Sequence, residues 1–79
     1  MDVELRLSKL GDQTDAIIVE WLKEIGEAVT TGEEIAEVET AKAGVMLESP
    51  ADGVLSKIVA AEGATVEVGD LLAIIESAG

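Results

Sequence analysis

Hydrophobic and polar residues alternate along several short stretches of this chain, each bounded by glycine, proline or other turn residues. In the run Ala36-Glu37-Val38-Glu39, for example, the apolar side chains would point to one face and the carboxylates to the other. Alternation with a period of two predicts β-strands rather than helices. The predicted strands cover residues 3–7, 16–22, 35–40, 45–48, 53–59 and 71–76. Brief extended pieces around Val29 and Val66 bring the total to about eight strands.

The same alternation predicts which side chains form the core. We expect these residues to point inward: Ala36, Val38, Val45, Leu47, Ala73 and Ile75. The residues expected to face water are Glu37, Glu39, Met46 and Glu48, with Ile74 partly exposed. Burial of the inward set, at roughly 25 cal/mol per Å² of area removed from water, would hold two sheets together.

The two halves of the chain repeat one another. Residues 15–39 align with residues 52–76 at a constant offset of 37 and without a gap. Turn glycines and apolar positions coincide together, as in Ile18 with Leu55, Trp21 with Ile58, Gly26 with Gly63, Gly32 with Gly69 and Val38 with Ile75. This duplication predicts an all-β fold with internal pseudo-twofold symmetry. We expect a flattened β-barrel or sandwich of two roughly four-stranded antiparallel sheets, a barrel-sandwich hybrid.

The repeat also assigns two ambiguous features. Residues 18–27 have some helix propensity, but their partner segment 55–64 is β-branched and ends in glycine, so we expect a strand in both halves. Trp21, the only aromatic residue, aligns with Ile58. A core role is therefore expected for Trp21 rather than a role in ligand binding.

The composition argues against a self-contained catalytic site. A chain of 79 residues fits one domain, residues 1–79, and its core must be built from aliphatic side chains. It contains no cysteine and no histidine, so disulfides, thiolate metal sites and the commonest general base are absent. We therefore expect no catalytic site and no metal site. We also expect the isolated domain to be monomeric.

The charge balance is strongly acidic, with 17 acidic and five basic residues and a net charge of −12. Such a chain repels phosphate backbones and anionic membranes, so we expect neither nucleic acid nor membrane as a partner. The acidity indicates either simple solubility or guidance toward basic partner surfaces. No apolar run is long enough to span a membrane, and the first residues do not begin a signal peptide. We expect a cytoplasmic protein, or a mitochondrial-matrix protein if the source is eukaryotic.

One lysine stands at a predicted hairpin tip. The segment Ala41-Lys42-Ala43-Gly44 separates two predicted strands, and a type I turn over it would place Lys42 second and Gly44 fourth. Small neighbours would leave the amine of Lys42 accessible to a modifying enzyme. An ordinary surface lysine would fit the same position, because exposed lysines are common on turns.

The repeat adds an argument about where this hairpin lies. Displacing Lys42 by 37 residues leads to position 79, the last residue. The quasi-equivalent of the lysine hairpin is therefore the place where the chain ends. Pseudo-symmetry predicts that the C-terminus, together with the nearby first strand, lies at the pole opposite Lys42.

The sequence resembles the lipoyl domains of the acyltransferase components of 2-oxo acid dehydrogenase complexes. The resemblance covers essentially the whole chain in unbroken order, and its central motif is EVETAKA around Lys42. The other matching segments are LGD at 10–12, WLKEIGEAV at 21–29, SPADG at 49–53, EGATV at 62–66 and VGDLL at 68–72. Ala41 stands where the family often has aspartate, and Glu48 where it often has proline.

The resemblance implies a non-catalytic swinging-arm carrier with lipoic acid attached covalently to Lys42. Its implied partners are a lipoate ligase, a thiamine-diphosphate-dependent 2-oxo acid decarboxylase, an acyltransferase core and the flavin enzyme dihydrolipoamide dehydrogenase. Acyl groups and reducing equivalents would pass between their active sites. The family also implies that the loop at residues 8–15 lies beside the hairpin. Lys9, Asp12 and Asp15 of this loop and Glu39 beside the tip are candidate recognition residues.

Other functions fit parts of the pattern. A biotinyl carrier domain of a biotin-dependent carboxylase also modifies a hairpin lysine, but typically has methionines where Ala41 and Ala43 stand. A glycine-cleavage carrier is longer and has additional terminal elements. An unmodified barrel acting as an adaptor would leave Lys42 as a plain surface residue. A stand-alone enzyme is the weakest alternative because no catalytic cluster is present.

Overall fold

The chain folds into β-strands joined by short turns. The structure is a computed structural model that describes residues 1–8 and 13–77. Its strands are β1 (Asp2–Arg6), β2 (Asp15–Trp21), β3 (Ala28–Val29), β4 (Glu34–Glu39), β5 (Gly44–Glu48), β6 (Gly53–Ile58), β7 (Thr65–Glu67) and β8 (Leu71–Ser77). No helix capable of crossing a membrane occurs within residues 1–8 and 13–77. The predicted strands are confirmed, with shifts of at most one residue at their ends.

The strands form two four-stranded antiparallel sheets. One sheet has the order β1-β8-β6-β3 and contains both ends of the described chain, so we call it the terminal sheet. The other has the order β5-β4-β2-β7 and contains the Lys42 hairpin, so we call it the lysine sheet. The sheets are not closed into a barrel. The predicted all-β class and two-sheet architecture are confirmed, with the sandwich as the correct form.

The sequence repeat is reproduced in the strand pairing. The register of β2 on β4 recurs in the register of β6 on β8, and each pair contains a bulge at the corresponding point. The offset of 37 residues relates β4 to β8, β2 to β6 and β3 to β7. The order β4-β2-β7 in one sheet therefore corresponds to β8-β6-β3 in the other, and β1 takes the place of β5. Matching partners include Ile18 opposite Val38 and Leu55 opposite Ile75, then Trp21 opposite Ala36 and Ile58 opposite Ala73. The predicted pseudo-twofold symmetry is confirmed.

Reciprocal hydrogen bonds join the two halves at their glycine turns. The amide of Gly26 donates to the carbonyl of Leu55 at 2.8 Å, and the amide of Gly63 donates to the carbonyl of Ile18 at 2.7 Å. Both glycines have positive φ, 96° and 86°, a conformation that other residues adopt only with strain. Each half therefore supplies a turn that caps a strand of the other half.

The core is aliphatic, as the alternation predicts. Ala36, Val38, Ala73 and Ile75 are completely buried, while Leu47 is buried and Val45 partly so. Among the residues predicted to face water, Glu39, Met46 and Glu48 are exposed and Glu37 is half-buried, as is Ile74. Full burial of each large aliphatic side chain contributes about 1.5–3 kcal/mol.

Trp21 lies at the edge of this core, as predicted. Its side chain is half-buried and packs against the buried cluster. The indole Nε1–H donates to the carbonyl of Ala60 at 2.7 Å, so the ring's polar group is satisfied within the protein.

The close packing of the backbone at Gly53 can be tested by substitution. A Cβ at this position would overlap the backbone carbonyl oxygen of Glu76, which cannot move without disturbing the pairing of β6 with β8. Gly53→Ala should lower the free energy of unfolding by about 1–3 kcal/mol in urea denaturation. Gly44→Ala is the matched control, because its Cβ would make only ordinary contacts, with the Glu37 carboxylate at 3.5 Å and the Val38 carbonyl oxygen at 3.9 Å. Equal stability of the two variants would contradict the close packing at Gly53.

We also expect two carboxylates to make folding sensitive to acid. The Thr31 amide donates to Asp52 Oδ1 at 2.6 Å and lowers the pKa of Asp52. The pKa of Glu33 is lowered by its hydrogen bond and ion pair with Lys23, at 2.9 Å, and by the Thr30 amide. A lowered pKa stabilises the fold above the ordinary carboxyl pKa of about 4 and loses this effect as the pH falls through the folded value.

Asp52→Asn should therefore be less stable than the parent sequence at pH 6, and the difference should shrink as the pH falls below the ordinary aspartate pKa of about 4. Urea midpoints measured across this range give the comparison. The matched control is Asp2→Asn, which makes the same chemical change at an exposed residue of the first strand. The bond from the Thr31 amide is specific to Asp52. A difference between Asp52→Asn and the parent that is independent of pH would contradict the assignment.

Candidate functional site

The Lys42 hairpin closes one residue earlier than the sequence predicts. Glu39 and Gly44 form the last pair of β4 and β5, and the Thr40 amide then donates to the Ala43 carbonyl at 2.9 Å. The reversal therefore spans Thr40 to Ala43, with Ala41 and Lys42 in its centre. The predicted turn over residues 41–44 was wrong by one position, since Gly44 already belongs to β5 and does not have positive φ.

Thr40 explains this shift. Its hydroxyl donates to the Ala43 carbonyl at 2.9 Å and accepts hydrogen bonds from the amides of Ala43 and Lys42 at 3.1 and 3.3 Å. A threonine side chain at the first position of a turn can replace backbone partners in this way. The sequence analysis missed Thr40, although a hydroxyl residue at the end of a predicted strand was the available signal.

The turn presents Lys42 among small residues. Ala41, Lys42, Ala43 and Gly44 are all exposed. Because the backbone of Lys42 is held by the Thr40 hydroxyl while its neighbours carry at most a methyl group, an enzyme can approach this lysine without displacing bulky side chains.

The ends of the described chain take the quasi-equivalent place in the terminal sheet. The Ser77 amide donates to the Met1 carbonyl at 2.8 Å, just as Thr40, its repeat partner, donates to Ala43. The ammonium group of Met1 in turn donates to the Ser77 carbonyl at 3.1 Å. One sheet therefore has a continuous hairpin at this position, and the other has the first and last strands side by side.

These two places lie at opposite poles. The start of β2 adjoins the hairpin. Just before β2, the Thr14 carbonyl accepts a hydrogen bond from the Val68 amide, and the next amide, that of Gly69, donates to the Leu7 carbonyl just after β1. The end of β1 is thus at the hairpin pole. The five residues of β1 then carry the chain about 17 Å away to Met1, beside Ser77. The predicted separation of Lys42 from the chain ends is confirmed for the described residues.

The lysine sheet is strongly anionic. Its strands contain seven carboxylates and no lysine or arginine, whereas the strands of the terminal sheet contain three carboxylates and two cations. Three pairs of carboxyl residues stand directly opposite each other on neighbouring strands of the lysine sheet, an arrangement that is destabilising. They are Asp15 with Glu67, Glu20 with Glu37 and Glu34 with Glu48. The face that carries the hairpin therefore has a negative potential.

The predicted recognition residues are partly brought together. Glu39 and Asp15 are exposed and line the same open depression of about 400 Å³ beside the hairpin, together with Thr40 and Ala41. Lys9 and Asp12 lie outside the described residues, as does half of the loop at residues 8–15. The sequence analysis missed Ile17 and Thr65, which also line the depression, because their proximity depends on the pairing of β2 with β7.

The described lysines lie in different local structures. Lys23 is ion-paired with Glu33 at 2.9 Å, and Lys57 lies within β6 rather than on a turn. Lys42 is exposed on a tight turn and offers a primary amine, which can form an amide with lipoic acid. The absence of cysteine from the chain is compatible with this chemistry, since lipoic acid contains its own sulfur atoms.

Comparisons with known proteins identify the family of this chain. The family described as "Biotin-requiring enzyme" matches residues 3–75. A Bartonella vinsonii subsp. berkhoffii dihydrolipoyllysine-residue succinyltransferase component of 2-oxoglutarate dehydrogenase complex is 44% identical over 98% of this chain and 19% of its own length. The solution structure of the lipoyl domain of the 2-oxoglutarate dehydrogenase complex from Azotobacter vinelandii is 34% identical, with a TM-score of 0.73. That match covers 100% of this chain and 99% of that domain.

More distant structures share the fold alone. The urea carboxylase of Kluyveromyces lactis matches 96% of this chain and 6% of its own with a TM-score of 0.82, but only 22% identity. The chain spans less than a fifth of the length of the curated relatives it matches, for example 19% of the Bartonella protein. The match to the Azotobacter domain, in contrast, extends over nearly all of both chains at 34% identity. This chain therefore belongs to the biotin/lipoyl family and is a lipoyl domain, a carrier domain for covalently attached lipoic acid.

Proposed function

We propose that Lys42 is the residue that a lipoate ligase modifies, and that the domain serves as a swinging arm in a 2-oxo acid dehydrogenase complex. The observation that carries this proposal is the hairpin itself. The Thr40 hydroxyl fixes the turn, and the turn holds Lys42 between two alanines at the pole away from Met1 and Ser77.

In this proposal the protein holds the Lys42 amine where the cofactor can be attached and can reach other enzymes. Lys42 Nζ forms an amide with the carboxyl group of the cofactor, and this bond removes the positive charge of the lysine. When attached, the lipoyl group supplies a disulfide that accepts an acyl group together with reducing equivalents. Thr40 holds the base of the arm, and Ala41 and Ala43 leave room for it to enter a narrow active site.

The polarity of the domain suits a tethered carrier. A polypeptide joined to Met1 or Ser77 leaves from one pole, so it does not obstruct the lysine at the other. Tethering makes each encounter intramolecular, which replaces free diffusion by a high effective concentration. The parent chain in this proposal is a dihydrolipoamide acyltransferase component. The Bartonella relative, of which this chain covers 19%, is about five times as long as the domain.

The expected partners are those of such complexes. They are the thiamine-diphosphate-dependent decarboxylase, the acyltransferase core and dihydrolipoamide dehydrogenase. The anionic lysine sheet favours approach by basic surfaces, and Glu39 and Asp15 lie nearest the hairpin. The proposed location is the cytoplasm, or the mitochondrial matrix in a eukaryote.

Modification at Lys42 can be tested directly. Incubation with a lipoate ligase, lipoate and ATP should add one lipoyl mass to the intact domain, and peptide mapping should place it on Lys42. Lys42→Arg should abolish the gain, because arginine cannot form the amide. Lys57→Arg is the matched control, since Lys57 is also exposed but lies within a strand, and it should be modified normally.

A parallel incubation with a biotin ligase, biotin and ATP separates the lipoyl assignment from the biotinyl alternative. Efficient biotinylation of Lys42 in the absence of lipoylation would favour a biotinyl carrier of a carboxylase. Mass gained at Lys57, or no gain with either ligase, would contradict the assignment of Lys42.

We further expect the Thr40 hydroxyl to be needed for efficient modification. Thr40→Val removes the acceptor for the Lys42 and Ala43 amides, so the turn should lose its fixed geometry. The free energy of unfolding should fall by about 0.5–1.5 kcal/mol, and the initial rate of lipoylation should fall about threefold or more. Ligase assays with quantitative mass spectrometry measure the rate. Thr40→Ser keeps the hydroxyl and should restore it, and an unchanged rate in Thr40→Val would contradict this role.

A further inference from the structure

The depression beside the hairpin has an apolar floor and an acidic rim. Ile17 points outward from β2 and is 47% exposed, as is Val19 at 42%, whereas Ala16 and Ile18 point into the core and are buried. Asp15 and Glu39 stand on the rim. The full lining is Asp15, Ala16, Ile17, Glu39, Thr40, Ala41 and Thr65. At about 400 Å³, its size lies within the range of small-ligand sites.

The pairing of three strands forms this depression. Ile17 lies opposite Glu39 of β4 on one side and opposite Thr65 of β7 on the other. Its wall is completed by Thr40 and Ala41, the two residues that precede Lys42. An arm attached to Lys42 therefore starts at the edge of the depression.

The pseudo-symmetry supplies an internal comparison. A second depression, of about 490 Å³, is lined by Gly53, Val54, Glu76 and Ser77 at the opposite pole. Val54 is the repeat partner of Ile17, is 40% exposed and lies opposite Glu76 as Ile17 lies opposite Glu39. The fold thus produces this surface twice, but a lysine that can carry an arm adjoins only the copy at the hairpin.

Resting on the lipoylation proposed above, we propose that the depression at Ile17 is a docking site for the lipoyl arm of Lys42 in the same chain. The dithiolane ring and its hydrocarbon chain are apolar, which matches Ile17 and the methyl groups of Ala41 and Thr65. Amide formation removes the lysine charge, so the modified arm is no longer attracted as a cation to the rim carboxylates. Its apolar chain and ring then determine where it binds. Attachment at the rim gives an effective concentration of about millimolar, at which even a weak contact is populated.

Docking would give the arm two states. In one state the ring covers Ile17, and in the other the arm extends from the tip toward a partner enzyme. The contact is shallow and open to solvent, so a partner's active site needs only a modest advantage in affinity to withdraw the arm. Asp15 and Glu39 would then be partly covered in the docked state and exposed to a basic partner surface in the extended state.

Nuclear magnetic resonance of the lipoylated domain tests this proposal. Complete modification of Lys42 is first established by intact mass and peptide mapping. We expect nuclear Overhauser effects between the arm's methylene or ring protons and the methyl groups of Ile17. We also expect amide shift changes at residues 15–17 and 65, relative to a domain acetylated at Lys42, which has lost the charge but has no long arm.

Two matched variants locate the contact. Ile17→Asn should abolish these effects and lower the order parameters of the arm's methylene groups below about 0.6, the range of a freely moving chain. Val54→Asn replaces an equally exposed residue at the same register position of the other pole and should leave them unchanged.

The outcomes separate this inference from the function it rests on. Absence of mass on Lys42 overturns both the lipoylation and the docking. Complete lipoylation without arm contacts to Ile17, or with contacts that persist in Ile17→Asn, overturns the docking alone and leaves the carrier assignment standing.

Discussion

The structure depends on burying alternate aliphatic side chains between two sheets. The chain has no disulfide and only one aromatic residue, so Ile18, Val38, Leu55 and Ile75 and their neighbours must supply the stabilising free energy by close packing. Neither half can do this alone, because each presents only one apolar face. The reciprocal bonds from Gly26 to Leu55 and from Gly63 to Ile18 fasten the halves face to face.

Duplication of one motif explains how a domain of 79 residues can place the Lys42 hairpin and the ends of the described chain at opposite poles. The same backbone arrangement occurs at both poles, as the matching bonds of Thr40 with Ala43 and of Ser77 with Met1 demonstrate. At one pole the strands are joined by the Lys42 turn, and at the other they are the first and last strands. The two poles of a symmetric scaffold therefore carry different structures.

The two sheets share their topology but differ in charge. Seven carboxylates without a cation lie on the strands of the lysine sheet, including three like-charged pairs that oppose folding. The terminal sheet, built on the same pattern, is nearly balanced. These positions face outward from the core, so the two sheets can differ in charge while they share one packing pattern.

The sequence by itself determined the strands, the inward residues and the pseudo-symmetry, because a period of two and a gapless repeat can be read directly from the order of apolar, polar and glycine residues. It also placed Lys42 on an exposed turn, as the structure has it. Only the tertiary structure decided that the turn closes on Thr40 and Ala43, because its hydrogen bonds depend on how β4 and β5 are registered. It alone brought Ile17 and Thr65 beside the hairpin, since residues 48 positions apart meet only when β2 pairs with β7.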